Sequence, residues 1–83
     1  MRIRYFAWLK QRTGCAEEEL DLPAGIDTVG DLMTYLGERH PRFAEAASGQ
    51  GVVRCAVDQT HADPEVRLAG AREVAFFPPV TGG

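Results

Sequence analysis

Hydrophobic and polar residues alternate twice near the start of the chain, which predicts two strands. The first alternation covers residues 2–9 and the second covers residues 16–22, where Leu20 and Leu22 would face inward. Between them, residues 10–14 form a polar segment that ends in glycine, as in a single helical turn. Because this connection is short, we expect the two strands to pair antiparallel.

The two sides of the first predicted strand differ in character. Ile3, Tyr5 and Ala7 share one side, which is expected to face the core. Phe6 and Trp8 share the other side with two arginines. Exposed aromatic residues are typical of interaction surfaces, so this side is either covered by another part of the chain or offered to a partner.

A helix is predicted to begin after Thr28, a residue type that caps helix N-termini, and to end before Pro41. Gly30 and Gly37 weaken this helix, and one of them is expected where the helix lies close to the sheet. A second short helical piece follows at residues 43–47. The apolar stripe of the main helix has the spacing of one helix face and consists of Val29, Leu32, Met33 and Leu36.

The last third of the chain predicts further strands. Residues 53–57 place apolar side chains on one face, and residues 58–59 begin the exit turn. A polar loop at 61–64 precedes a short edge strand at 66–68. The final run, Glu73–Phe77, is apolar on both faces, and such a run belongs in the middle of a sheet.

These elements follow one another in the order β-β-α-β-β, which indicates an α+β roll of the β-grasp kind. We expect a mixed sheet of four to five strands with one main helix across one face. A chain of 83 residues is sufficient for a single domain. We assign that domain to residues 1–77 and an extended tail to residues 78–83.

Composition and charge narrow the range of functions. The net charge of −3, without a lysine or arginine cluster, argues against nucleic-acid binding, which needs a basic face. No apolar run approaches the length of a membrane span, and the N-terminal sequence does not look like a signal peptide. Two cysteines are too few for a disulfide framework. We therefore expect a cytoplasmic protein with neither a nucleic-acid nor a membrane partner.

Side chains capable of chemistry are few and scattered. Cys55 lies on an apolar strand face and is expected to pack in the core, while Cys15 lies in a turn without a neighbouring histidine. His40 and His61 lack the neighbouring ligands of a metal site. The run Glu17–Glu19 is expected to be a solvated acidic surface or to guide a basic partner. No side-chain constellation supports catalysis by this chain alone.

The C-terminal stretch is the most informative part of the sequence and reads Phe76-Phe77-Pro78-Pro79-Val80-Thr81-Gly82-Gly83. Proline has no N–H for a sheet ladder, so the strand is expected to stop and continue as a stiff, extended lead. Glycine has no side chain, so another protein can close around the backbone. Six residues from Pro78 to Gly83 reach about 20 Å when extended.

By elimination, the terminal carboxylate is the expected reactive group. Adenylation by ATP would give its carbon a good leaving group, and a sulfur nucleophile would then displace AMP to form a thiocarboxylate. Such chemistry depends on positioning in a partner's site rather than on acids and bases in this chain. The alternative interpretation is an ordinary frayed terminus.

The run from Glu73 to Gly83 strongly resembles the C-terminal sequence of the molybdopterin synthase small subunit, the MoaD-type sulfur carrier family. Asp58 departs from the asparagine that the family often has there, and Gly70–Glu73 replaces a Gly-Asp-Glu turn. The resemblance extends along the whole chain through the segments Tyr5-Phe6-Ala7, Thr13-Gly14, Thr28-Val29 with Leu32 and Leu36, and Ala56-Val57-Asp58-Gln59.

This resemblance implies a ubiquitin-like fold and a role as the sulfur donor in molybdopterin biosynthesis. Gly83 would carry the sulfur, with Gly82 as its slim neighbour. An adenylyltransferase similar to ubiquitin-activating enzymes would activate Gly83 with ATP, and a persulfide-bearing sulfurtransferase would form the thiocarboxylate. The tail would then enter the large synthase subunit, which carries the catalytic residues, and sulfur would pass to cyclic pyranopterin monophosphate.

The family's assembled synthase is a heterotetramer, with two small subunits on a dimer of large ones. The resemblance implies that this chain is not an enzyme on its own and binds no cofactor or metal. Phe76 and Phe77 would anchor the inserted arm, either in the fold or in the interface. The residues implied in partner binding are Phe76, Phe77, Pro78, Pro79, Val80 and Thr81.

Other functions share the same terminus. A covalent protein modifier would join activated Gly83 to a lysine of another protein. A carrier for another product, such as the thiazole of thiamine, is less compatible with the Phe-Phe-Pro-Pro-Val-Thr lead, since carriers of that family usually have a different approach to Gly-Gly. A binding module that never activates its terminus would tolerate loss of Gly83.

Overall fold

The fold is built on a mixed sheet whose two central strands come from opposite ends of the chain. The structure is a computed structural model that describes residues 1–48 and 53–78. Within those residues the elements are β1 (Arg2–Tyr5), α1 (Leu9–Thr13), β2 (Glu17–Glu19), α2 (Val29–Arg39), α3 (Pro41–Ser48), β3 (Arg54–Val57), β4 (Thr60–His61) and β5 (Glu73–Phe77). None of the helices in these two ranges is long and apolar enough to cross a membrane.

The strand order in the sheet is β2-β1-β5-β3-β4. β1 and β5 pair in parallel with Tyr5 opposite Phe76, while β3 runs antiparallel to β5 with Cys55 opposite Phe76. The two edge strands, β2 and β4, are antiparallel to their neighbours. This topology confirms the predicted β-grasp roll, the antiparallel pairing of the first two strands and the central position of the last one.

Side chains on one face of the sheet pack with the helices to form the core. The alternation of β1 and β5 predicts this face, because every second side chain of a strand points to the same side. The largest fully buried side chains are Ile3, Tyr5, Leu9, Val29, Leu32, Leu36, Phe43, Val74 and Phe76. We call the opposite side, which carries the more exposed alternate residues of the strands, the second face.

Thr28 caps α2, as the sequence predicts. Its Oγ1 accepts a hydrogen bond from the Asp31 N–H at 3.2 Å, and its own N–H donates to Asp31 Oδ2 at 3.1 Å. These reciprocal bonds satisfy two of the donors that a helix N-terminus leaves free. The helix ends at Arg39 because Pro41 follows and begins α3. The prediction of a helix from Thr28 to Pro41 and a short second helix is confirmed.

The first strand ends earlier than the sequence predicts. β1 stops at Tyr5, and Ala7 adopts a left-handed backbone conformation with φ of 55°. This turn directs the chain into α1, which Gly14 closes with φ of 81°. Ile3 and Tyr5 are buried as expected, but Ala7 is exposed, so its assignment to the core side is wrong. Local turn geometry, rather than the apolar pattern, sets this boundary.

The predicted edge strand at residues 66–68 is also wrong. Those residues make one isolated bridge, and their backbone groups bond the start of α2, with the Val29 N–H donating to Val66 O at 2.9 Å. The observed edge strand is β4, in the segment where the sequence suggests a loop. Asp58 and Gln59 form a tight left-handed turn, with φ of 47° and 69°, and this turn folds β4 back onto β3.

Gly37 lies against α3 rather than against the sheet, which corrects the expectation for this helix. A Cβ built on Gly37 would stand 3.0 Å from the Ala44 Cβ, so the two helices approach closely at this point. A Cβ on Gly30 would stand 3.4 Å from the Pro64 carbonyl oxygen. The missing side chain of Gly37 therefore lets α2 pack closely against α3, and this packing places Phe43 of α3 in the core.

Alanine at these two glycines is expected to have different effects. Both substitutions favour the helix, since alanine is better than glycine by about 1 kcal/mol in a helix interior. At Gly37 the new methyl group would stand 3.0 Å from the Ala44 Cβ, so Ala44 has to shift, and overpacking of this kind costs about 1–3 kcal/mol. We expect Gly37→Ala to be less stable than Gly30→Ala in urea denaturation by about 1 kcal/mol or more. Equal stability of the two variants would contradict the close approach of α2 and α3.

Candidate functional site at the root of the tail

The tail begins where the most deeply buried strand of the sheet ends. Phe76 has no exposed surface, and its carbonyl oxygen accepts a hydrogen bond from the Phe6 N–H at 3.0 Å. Phe77 and Pro78 are half-buried, and Pro78 is the last described residue. We call Phe76 and Phe77 the tail root. The remaining predicted site residues, Pro79, Val80, Thr81, Gly82 and Gly83, lie outside the described residues.

Phe76 is held by two other buried rings, Tyr5 and Phe43, and we call these three residues the aromatic trio. The Phe43 and Phe76 ring centroids lie 5.3 Å apart in an edge-to-face arrangement. Tyr5 stacks on Phe76 at 6.3 Å and meets Phe43 edge-on at 5.9 Å. Such pairs stabilise a core beyond the area that they bury. Of the two roles open for Phe76, the structure supports the anchor in the fold.

Phe77 lies on the second face of the sheet. It pairs across the ladder with Arg54, and its ring meets the His61 ring edge-on at 6.3 Å. Phe6 lies on the same face beside β5, is 39% exposed, and carries the Arg4 guanidinium 4.8 Å from its ring centroid. The chain therefore covers Phe6 only in part, and this aromatic surface adjoins the point where the tail begins.

Trp8, which the sequence groups with Phe6, lies elsewhere. It is the N-cap residue of α1, is half-buried, and packs against the edge of the core. The Arg12 guanidinium lies 5.4 Å from its ring centroid. Trp8 is therefore covered locally, and only Phe6 is offered on the surface. The turn at Ala7 separates the two rings.

Glu18 makes the most connected polar cluster near the tail root. The Tyr5 hydroxyl donates to Glu18 Oε2 at 2.7 Å, and His40 Nε2 lies 2.8 Å from the same oxygen. Because a carboxylate oxygen only accepts, His40 donates from Nε2 in this arrangement. Arg39 approaches the other oxygen at 3.7 Å. We call Glu18 with these three partners the Glu18 bridge.

Glu18 and His40 are each 17% exposed, and this partial burial affects the acidity of the groups in the Glu18 bridge. Burial alone would raise the pKa of Glu18, but the hydrogen bonds from Tyr5 and His40, with the nearby charges, hold that pKa below its ordinary value. Burial, and then the hydrogen bond to Glu18, raise the pKa of the Tyr5 hydroxyl. Glu18 is therefore an ionised acceptor and Tyr5 a protonated donor at neutral pH.

Sequence reasoning missed this bridge because it treats the acidic run as one solvated surface. Glu17 and Glu19 are exposed as expected, and Glu17 pairs weakly with Arg2 at 3.9 Å. Glu18 instead lies opposite Ile3 on the core side of the sheet, where its side chain is 17% exposed. The signal that could have found it is parity, since Glu18 and Leu20 are two residues apart and share a face.

The cysteines and histidines do not form a reactive centre in the described residues. Cys55 is buried, and burial raises the pKa of its thiol to about 12, so it packs in the core as predicted. Cys15 is half-buried against the core. His61 lies on the second face. Across residues 1–48 and 53–78, no three metal-ligating side chains are grouped as a metal ion requires.

A mixed β-grasp sheet that packs against a main helix and ends in a central strand leading to the tail defines a ubiquitin-like domain. The structure is similar to the crystal structure of SAMP1, small archaeal modifier protein 1, from Haloferax volcanii, with a TM-score of 0.81, 28% identity, and coverage of 99% of this chain and 97% of that one. It is also similar to a protein of Pyrococcus furiosus provisionally identified as molybdopterin converting factor, subunit 1, with a TM-score of 0.79, 34% identity and 95% of each chain covered.

Sequence comparison places the chain within one family. It is 32% identical to the molybdopterin synthase sulfur carrier subunit of Escherichia coli, over 100% of this chain and 99% of the relative. Residues 3–83 match the ThiS family, and the chain belongs to that family. The resemblance drawn from the terminal sequence is thereby confirmed, as is the ubiquitin-like fold.

Replacing Glu18 with glutamine is expected to reduce the loss of stability in acid. The folded-state pKa of Glu18 lies below its ordinary value of 4.5, so its ionised form stabilises the fold above that value. This stabilisation is lost as the pH falls through the folded-state pKa. The free energies of unfolding of wild type and Glu18→Gln, from urea titrations, should differ most near neutral pH and converge as the pH falls below about 4.

The comparison of wild type with Glu18→Gln is not affected by Asp31, a second carboxyl group with a lowered pKa. Backbone N–H groups of Asp27 and Thr28 lower the pKa of Asp31, so it also contributes to acid sensitivity. Because Asp31 is present in both proteins, its contribution cancels in the difference between them. A difference that stayed constant from neutral to acid pH would contradict the role assigned to the Glu18 carboxylate.

Alanine substitutions at the two phenylalanines of the tail root are expected to lower the free energy of unfolding by different amounts. Phe76→Ala removes a fully buried ring and should lower the free energy of unfolding by about 3–5 kcal/mol. Phe77→Ala removes a half-buried ring on the second face and should cost less than half as much. Urea denaturation of both variants measures the difference. Equal losses would show that Phe77 is as much a part of the core as Phe76.

Proposed function

We propose that this chain is a sulfur carrier that donates sulfur from a thiocarboxylate at Gly83 to cyclic pyranopterin monophosphate in molybdopterin biosynthesis. The observation that carries the proposal is the family match, which extends to residue 83 and so includes the Gly-Gly terminus. The full-length similarity to the Escherichia coli sulfur carrier subunit supports the product assigned here. The chain is the donor, and the catalytic residues for sulfur insertion belong to the large subunit of the synthase.

The proposed chemistry begins with the Gly83 carboxylate. One carboxylate oxygen attacks the α-phosphorus of ATP in the site of an adenylyltransferase, which releases pyrophosphate and leaves an acyl adenylate. The terminal sulfur of a sulfurtransferase persulfide attacks the acyl carbon, and AMP leaves. A thiol then reduces the acyl disulfide and frees the thiocarboxylate. Gly82 and Gly83 leave room around the acyl carbon at each of these steps.

The anchoring of the tail root supports a role in which the domain holds the tail and a partner supplies the catalytic site. Because Phe76 is fully buried and bonded through its carbonyl oxygen to Phe6, the tail starts from a fixed point. We propose that residues 78–81 form the arm that enters the partner and that Phe77 and the exposed part of Phe6 contact the partner beside it. Two such chains would sit on a dimer of large subunits.

A second candidate function is a covalent protein modifier. The similarity to SAMP1 of Haloferax volcanii, at 28% identity over nearly the whole chain, favours this candidate. Activation of Gly83 would be the same, but a lysine amine would take the place of sulfur and the product would be an isopeptide. The fold does not distinguish the two, because the same domain presents the same terminus in both cases.

Mass spectrometry of the intact chain, incubated with its adenylating partner, ATP and a sulfur source, tests the proposal. We expect a mass gain that matches replacement of one oxygen by sulfur. A chain that lacks Gly83 should show no gain while retaining its fold. Gly82→Trp adds a bulky side chain next to Gly83, and this variant should also show no mass gain. No gain in the wild-type chain, with the partner shown to be active on another carrier, would contradict the sulfur-carrier function.

The same reaction without the sulfur source, but with cell extract, tests the modifier candidate. Isopeptide-linked conjugates that require Gly83 would support it. Lys10 is the chain's single lysine and lies exposed in α1, so lysine-linked adducts of the chain with itself can form only there. Lys10→Arg is the control that separates self-conjugation from conjugation to other proteins.

A further inference from the structure

We propose that Glu18 is a positioning residue for the tail: through its bridge to Tyr5 and His40 it fixes the place and direction in which the chain leaves the sheet. This inference rests on the proposed function, because its biological effect is the presentation of the tail to an activating partner. The cluster lies outside the terminal residues that carry the chemistry.

The Glu18 bridge joins parts of the chain that are distant in sequence. Glu18 belongs to β2, Tyr5 belongs to β1, and Arg39 and His40 lie at the junction of α2 and α3. One carboxylate therefore connects the sheet edge to the point where the helices change direction. The oxygen–oxygen distance of 2.7 Å to Tyr5 and the oxygen–nitrogen distance of 2.8 Å to His40 are those of charge-assisted hydrogen bonds.

The bridge acts on the tail root through the aromatic trio. Tyr5 donates a hydrogen bond to Glu18, and its ring stacks on Phe76. Phe43 lies three residues after His40 in the sequence and packs edge-on against both rings. The His40 ring also meets the Tyr5 ring edge-on at 6.0 Å. Loss of the bridge frees the Tyr5 hydroxyl and His40 at the helix junction. The Tyr5 ring stacks on Phe76, and Phe43, three residues after His40, packs against Phe76.

A looser tail root would affect binding more than chemistry. If only a fraction of molecules presents the tail correctly, the apparent affinity for a partner falls by that fraction. The bond-making steps occur in the partner's site, so their rate in the bound complex is not expected to change. The proposal therefore predicts a rise in KM for the activating partner at constant kcat.

Asp58 offers a control because it supports the start of β5, at the end of that strand opposite to the tail root. Its Oδ1 accepts hydrogen bonds from the Arg72 and Glu73 N–H groups at 2.9 and 3.0 Å, and its own N–H donates to Glu73 O at 2.9 Å. Asp58 thus fastens the start of β5, as the Glu18 bridge borders its end. Asp58→Ala removes the carboxylate that supports β5 and also strains the left-handed turn at Asp58, but both effects lie at the end of β5 away from the tail root.

The test compares Glu18→Ala and Tyr5→Phe with Asp58→Ala in the full chain. Steady-state thiocarboxylation by the adenylating partner gives KM and kcat for the carrier. We expect KM to rise about fivefold for Glu18→Ala, equivalent to about 1 kcal/mol, with kcat unchanged. Tyr5→Phe, which keeps the ring and removes only the hydroxyl, should raise KM in the same direction. Asp58→Ala should leave KM within about twofold of wild type.

Amide hydrogen exchange measures the tail root without any partner. The Phe6 N–H, bonded to Phe76 O, reports on the tail root, and the Ala62 N–H, bonded to Cys55 O, reports on the other side of the sheet. In Glu18→Ala, protection at Phe6 should fall about tenfold more than protection at Ala62, as expected for a local opening. In Asp58→Ala, protection at Phe6 should fall less than it does in Glu18→Ala, although Ala62 lies beside the Asp58 turn and should lose protection.

Equal loss of protection at Phe6 and Ala62 in Glu18→Ala, together with an unchanged KM, would overturn the proposal and leave Glu18 as a general stabilising residue. A fall in kcat at constant KM would also overturn it. If Glu18→Ala does not fold, Tyr5→Phe decides the same question. If the wild-type chain gains no sulfur, the proposed function fails, but the exchange experiment still decides whether Glu18 holds the tail root.

Discussion

The parallel pairing of β1 with β5 organises both the core and the start of the tail. It brings the first strand of the chain beside the last one and places Tyr5 opposite Phe76. The core face of both strands then meets α2 and α3, and Phe43 completes the aromatic trio. Because this pairing joins residues more than seventy positions apart, the tail can begin from a fixed point only after the whole domain has folded.

The Glu18 bridge shows how a small domain keeps a charged group near its core. A shielded carboxylate is costly unless it is hydrogen-bonded, and here a hydroxyl, an imidazole and a guanidinium surround it. Replacement by an apolar side chain would avoid that cost. What the charge adds is orientation, because its bonds hold Tyr5, whose ring stacks on Phe76, and His40, whose ring meets the Tyr5 ring edge-on.

The chain belongs to the ThiS family, whose match covers residues 3–83. Its relatives include a sulfur carrier subunit and, by structure, a small archaeal modifier protein. Both proteins share this fold, so the fold by itself does not decide between the two candidate functions. A fixed tail root suits either proposed function, since each would need a partner to bring the terminal carbon into its own site.

Local sequence patterns predict the β-grasp order of elements, the cap at Thr28 and the central place of the last strand, and Gly82 and Gly83 carry the proposed chemistry. These follow from local rules, namely alternation, helix spacing, and the missing side chains of glycine. Only the folded chain shows the end of β1 at Tyr5, the edge strand β4 in place of residues 66–68, and the bridge at Glu18. Each depends on contacts between groups that are distant in sequence. Backbone groups of residues 64–68 bond to the start of α2 instead of to a strand. Glu18 bonds to Tyr5 and His40 only when the sheet and the helix junction come together.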